Sequence, residues 1–114
     1  MSLKAYSATQ KATADPRATE YRLFAQVTRA LMAIGPTLDP AAHEALYWNR
    51  TVWSTLQKDL ANPSNRLPDA LKAKLISLSL WVDRYSKQVI KGEADIAPLI
   101  QVNRAVMEGL AGHS

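Results

Sequence analysis

The stretch from Asp39 to Leu60, DPAAHEALYWNRTVWSTLQKDL, constrains the fold more than any other. Asp39 suits a helix N-cap, and Pro40 suits the first helical position, where the missing N–H has no helical partner to lose. Ala42, Leu46, Asn49, Trp53, Leu56 and Leu60 then recur at steps of three and four. At about 100° per residue they fall on one stripe of a helix. Trp48 lies about 160° away from Leu46 on the same turn geometry. One helix therefore carries two tryptophans pointing two ways. Trp53 has a core to enter, while Trp48 needs a second neighbour or a partner.

The rest of the chain repeats this pattern between clear breaks. Asp15-Pro16 opens a helix reaching about Ile34, with Tyr21, Phe24, Val27, Thr28, Leu31 and Ile34 on its apolar arc and Arg22 and Arg29 on its polar side. Gly35-Pro36 ends it, glycine suiting the C′ position and proline being unable to continue a helix. Asn62-Pro63-Ser64-Asn65 is the next break. Pro68 begins a third helix reaching about Lys91, with Leu71, Leu75, Leu78, Val82, Tyr85 and Val89 on the main stripe and Trp81 at its edge. Ala73, Ile76 and Leu80 form a second apolar line round the back, continued by Arg84, Lys87 and Lys91. A helix apolar on two sides is central in its fold or covered by something else. Gly92 closes it. Asp95 is placed to cap a last helix, with Pro98 in the first turn and Ile96, Leu99, Asn103, Val106 and Leu110 facing inward. Residues 2–13 form a further short helical candidate, with Leu3 and Tyr6 three apart, too short to be stable alone. No segment alternates as a strand does.

The expected fold class is all-α: a compact bundle of four main helices with a short N-terminal helical segment. The 114 residues fit a single domain, 1–114, with residues 1–14 either mobile or docked on the body and 112–114 a frayed tail. There is no cysteine, which excludes disulfides and thiolate metal sites and fits a reducing compartment. Nothing approaches a run of about 18 apolar residues, and the N-terminus lacks a signal-peptide apolar core, so no membrane contact and a cytoplasmic location are expected. The net charge of +4 is uneven. Residues 63–92 carry six basic and two acidic groups, net +4, whereas residues 93–114 carry one basic and three acidic groups, net −2. Such a basic segment is a weak footprint for RNA or for an acidic partner, and also what an ordinary solvated surface looks like.

The chemistry-bearing residues are sparse. His43 and His113 are the only histidines, and His43 diverges from its neighbour Glu44 on a helix. Asp59, Asp69 and Asp83 have no spacing that suggests paired acid–base work, and Ser77 and Ser79 have no base at a recognisable distance. No glycine-rich phosphate loop is present. No catalytic residue, metal or cofactor is expected, and the chain reads as a non-enzyme. Asn49 and Asn103 each interrupt an apolar stripe. A buried amide must find hydrogen-bond partners, so each is expected to fix a helix register against another segment.

Tyr47, Trp48, Ala73, Ile76 and Leu80 stand outside the simplest core. They are either covered by the N-terminal segment or a neighbouring helix, or they form a partner-binding groove for an amphipathic helix from another protein.

Four stretches carry a family likeness: AYSATQKATADPRATEYRLFAQVTRAL, EALYWNRTVWSTLQKDL, NRLPDALKAKLISLSLWVDRYSKQV and PLIQVNRAVMEGLAG. In this order, over nearly the whole chain, they resemble FlaF, a flagellar biosynthesis regulator of alphaproteobacteria. In the second stretch the portion from Asn49 to Trp53 carries the likeness. The resemblance implies a small cytosolic, non-enzymatic factor that binds unpolymerised flagellin as a secretion chaperone, couples flagellin synthesis to export, and works alongside FlbT, a companion regulator of flagellin translation. It brings no catalytic residues. The alternative is an RNA-binding regulator acting on flagellin messenger RNA.

Overall fold

The computed structural model describes residues 16–111. Four helices follow one another: α1, Pro16–Met32; α2, Pro40–Ala61; α3, Asp69–Ile90; and α4, Ala97–Ala111. No strand occurs among the described residues. The all-α bundle expected from periodicity is the fold found. The expected helix at residues 2–13 and the tail at 112–114 lie outside the described residues.

Local chemistry sets the ends of these helices. The Asp39 carboxylate accepts a hydrogen bond from the Ala42 N–H at 2.8 Å, capping α2 with Pro40 directly after it. Pro68 precedes α3 as its cap residue, with φ −56° and ψ 143° and no side-chain bond. Asp69 in the first turn supplies the negative charge that the helix N-terminus favours. At the other end the Gly92 N–H bonds to the Val89 carbonyl and the Glu93 N–H to the Gln88 carbonyl, both at 2.9 Å. This paired pattern is a Schellman stop, and Gly92 supplies the positive φ of 76° that it needs.

Two expected caps are corrected. Helix α1 ends at Met32 in a tight turn, with the Ala33 and Ile34 N–H groups bonding back to Arg29 and Leu31, so Gly35 lies beyond the stop and has no positive φ. The first bonds of α4 go to the Ile96 carbonyl rather than that of Asp95. The Asp95 carbonyl instead accepts the Tyr85 hydroxyl at 2.7 Å.

The helices form a closed ring. Each packs on its sequence neighbours and α1 packs on α4, while α3 against α4 is the thinnest seam. Phe24, Val27, Leu31, Leu46, Trp53, Leu56, Val82 and Leu99 fill the core between them. Phe24 meets Trp53 edge to face, with ring centroids 5.2 Å apart. The loop between α2 and α3 is held by Asn65, itself buried. Its amide oxygen accepts the Leu67 N–H, its amide nitrogen donates to Asp59, and its carbonyl accepts the Lys72 ammonium.

Candidate functional site

The interior polar groups are structural. Asn103 on α4 faces Asn49 and Trp53 on α2, the helix diagonally across the ring, and Thr28 on α1. The Trp53 indole N–H donates to the Asn103 amide oxygen at 2.8 Å. Indole nitrogen is donor only, so this contact fixes which way the Asn103 amide points. Its NH₂ then donates to the Asn49 amide oxygen at 2.8 Å and to the Thr28 hydroxyl at 3.1 Å. Both asparagines are fully buried. They set register, as expected, and they do so against each other. The Asn49 amide nitrogen and the Ser86 hydroxyl are buried without a hydrogen-bond partner.

The exposed surface between α2 and α3 is different in kind. Arg50 on α2 donates to the Asp83 carboxylate on α3 at 2.8 Å, and Lys87, one turn along α3, lies 3.4 Å from the other carboxylate oxygen. The hydrogen bond from Arg50 holds the Asp83 carboxyl below the usual aspartate range, burial opposing it and Lys87 adding to it. Two cavities, of about 180 and 270 Å³, meet at this ion pair and share Arg50, Ser54 and Asp83. Leu80 lines the first and Tyr47 the second. Together they make one groove along the α2–α3 seam.

The five expected partner-binding residues are arranged around this seam unequally. Tyr47 is 70% exposed and Leu80 54% exposed, one at each end of the groove. Ile76 is half-buried against the core on the same side of α3. Ala73 is exposed one further turn back. Trp48 is 37% exposed and lies about 100° round α2 from Tyr47, on the flank of Ala41 and Ala45. That flank faces α1, since Ala30, Ala33 and Ile34 enclose a small space with Ala41 and Ala42. Tyr47 and Trp48 therefore look out from opposite flanks of one helix.

Reading the sequence missed the ion pair that floors the groove, having taken Asp83 as a lone surface carboxylate. No short-range pattern links positions 33 apart. The available signal was antiparallel packing about the 62–68 loop, which brings residues equally far from it to similar heights. A second feature was also missed. Leu71, Leu78 and Tyr85 of the main α3 stripe are only half-buried, because the α3–α4 seam is thin. Small residues on α4, Ala105 and Gly109, face Leu71, Leu75 and Leu78 across an apolar cavity of about 190 Å³.

Trp81 and Tyr85 stack on each other at 4.7 Å on the side of α3 away from Arg50. Among the described residues no group of three or more His, Asp or Glu side chains is placed to hold a metal ion, and no helix is long and apolar enough to cross a membrane.

No curated protein and no solved structure matches the chain. The family model described as flagellar protein FlaF matches residues 2–110, so the match runs through all four helices, the Asn49–Asn103 pair and both sides of the α2–α3 groove. The chain belongs to the FlaF family of flagellar proteins.

Proposed function

We propose that this flagellar protein is a cytoplasmic, non-enzymatic binding factor for unpolymerised flagellin, acting as its secretion chaperone and coupling flagellin synthesis to export, with FlbT as a companion. The observation that carries the reading is the placement of Tyr47 and Leu80, both well exposed, at the two ends of one groove on a family member whose described residues form four helices. Exposed apolar side chains along a helix–helix seam suit an amphipathic helix laid into the groove. Ile76 and Ala73 extend the α3 wall, and Trp48 offers a further apolar contact on the other flank of α2. RNA binding is the weaker reading. Stacking on bases needs free aromatic faces beside cations. Trp81 and Tyr85 are half-buried and each covers a face of the other, while Lys87 is engaged with Asp83.

The test is a pull-down of monomeric flagellin from cytosol, with and without FlbT, followed by a titration with purified components. Capture of flagellin in both supports the proposal. Failure to bind flagellin in either, with selective binding of the flagellin leader RNA, rejects it.

A further inference from the structure

Resting on the flagellin-binding reading, we infer that the α2–α3 groove receives an acidic amphipathic helix. The argument is the charge around the groove. Tyr47, Thr51, Ser54 and Lys58 follow one line along α2 at steps of four, three and four. The facing line on α3 runs through Ile76, Leu80, Arg84 and Lys87. Arg50 and Asp83 lie between the two lines. On these two faces Arg50, Lys58, Lys72, Arg84, Lys87 and Lys91 stand against Asp83, Glu44 at the start of α2 and Asp69 at the start of α3. Asp83 is already shared by two cations, Arg50 and Lys87.

The surplus is therefore positive, and it surrounds a polar-floored groove with an exposed apolar side chain, Tyr47 or Leu80, at each end. The Arg50 Nε is buried without a hydrogen-bond partner, but its two NH₂ groups carry donors beyond the one on Asp83, so Arg50 can hold Asp83 and still donate to a second carboxylate or to carbonyl groups entering the groove. A helix with one apolar face and carboxylates on its shoulders meets all of these groups at once. A basic helix would bring like charges together, and a wholly apolar one would bury the Arg50–Asp83 pair without replacing its water.

The experiment titrates purified monomeric flagellin into four folded proteins, each checked by thermal unfolding: the wild type, Leu80→Ser, the groove reversal Lys58→Glu/Arg84→Glu, and a reversal on the exposed face of α1, Arg22→Glu/Arg29→Glu. The two reversals change the net charge equally. All substituted side chains are exposed, so folding should be retained. The groove reversal should weaken binding at least tenfold at low salt, with the gap narrowing as salt rises. Leu80→Ser should weaken it about tenfold at any salt, and the α1 reversal should change it less than threefold. Equal losses from the two reversals would mean that overall charge, not the groove, attracts the partner. Tighter binding by the groove reversal would mean that the partner's docking face is basic. Wild-type affinity in every groove variant would overturn the groove while leaving flagellin binding intact, and the apolar α3–α4 cavity would be the next place to substitute. No binding by the wild type would remove the functional reading and this inference together.

Discussion

At the scale of single residues, stability depends on a few side chains that do two jobs. Trp53 fills the core against Phe24 and also donates to Asn103. Trp53→Ala should cost about 3–5 kcal/mol, as large-to-small core changes do, and a denaturation midpoint that barely moved would contradict the packing described. Asn103→Ala removes the partner of three groups at once. With roughly 1–3 kcal/mol for a buried group left unpaired, a loss of about 3 kcal/mol is expected in urea melts, and Asn49→Ala in the same background should add much less than it does alone. A loss under about 1 kcal/mol would show that water replaces the network easily. The burial of both asparagines was legible because each interrupts an apolar stripe. Their pairing was not, because it depends on which helices lie diagonally across the ring. Asp83 gives a pH test. Its folded pKa lies below the unfolded one, so its contribution is complete above the ordinary aspartate value of about 3.9 and is lost as the pH falls through the depressed folded value. The pair is well exposed, so the effect is small. Asp83→Asn should flatten the acid limb of the stability curve slightly, below about pH 4, and leave its shape near neutrality unchanged.

At the scale of elements, the four helices were legible because each carries an apolar stripe at helical spacing and each is bounded by proline, glycine or an asparagine-rich turn. The ends were less so. Several residues in each break could cap or stop a helix, and only backbone geometry chooses among them. Gly92 is where the geometry decides. A Cβ there would meet nothing within 4 Å, so Gly92→Ala tests the backbone alone. The left-handed φ should cost about 1–2 kcal/mol, whereas Gly109→Ala, on a helix with equally open space, should be neutral or stabilising. Equal melting temperatures for the two variants would contradict the Schellman stop. The degree of burial along α3 was not legible either. Its stripe includes Ser79 and Ser86, both buried, while Leu71 and Leu78 are partly open. Periodicity gives the direction of a side chain, and the width of the seam it faces comes from the opposite helix, here from the small residues Ala105 and Gly109.

At the scale of the whole molecule, the described residues form a ring of helices with a polar-floored groove on one seam and an apolar cavity on another. The sequence reading named an apolar outer face on α2 and α3, but it could not divide it, because assigning Tyr47 and Trp48 to separate flanks requires knowing that α1 and α3 lie on opposite sides of α2. On the proposed function, this surface binds protein rather than RNA. Salt separates the two most directly. An RNA complex that neutralises several phosphates releases counterions and loses affinity steeply as salt rises. A flagellin complex anchored by Tyr47 and Leu80, with a few surface charge pairs worth about 0.2–1 kcal/mol each, should lose far less. The deciding measurement is the dissociation constant of the wild-type protein for monomeric flagellin and for the flagellin leader RNA, each taken from low to moderate salt. The account predicts flagellin binding with a shallow salt slope, and RNA binding no tighter than the nonspecific range of about 10⁻⁴–10⁻⁶ M. Tight, sequence-selective RNA binding with no measurable affinity for flagellin would contradict it.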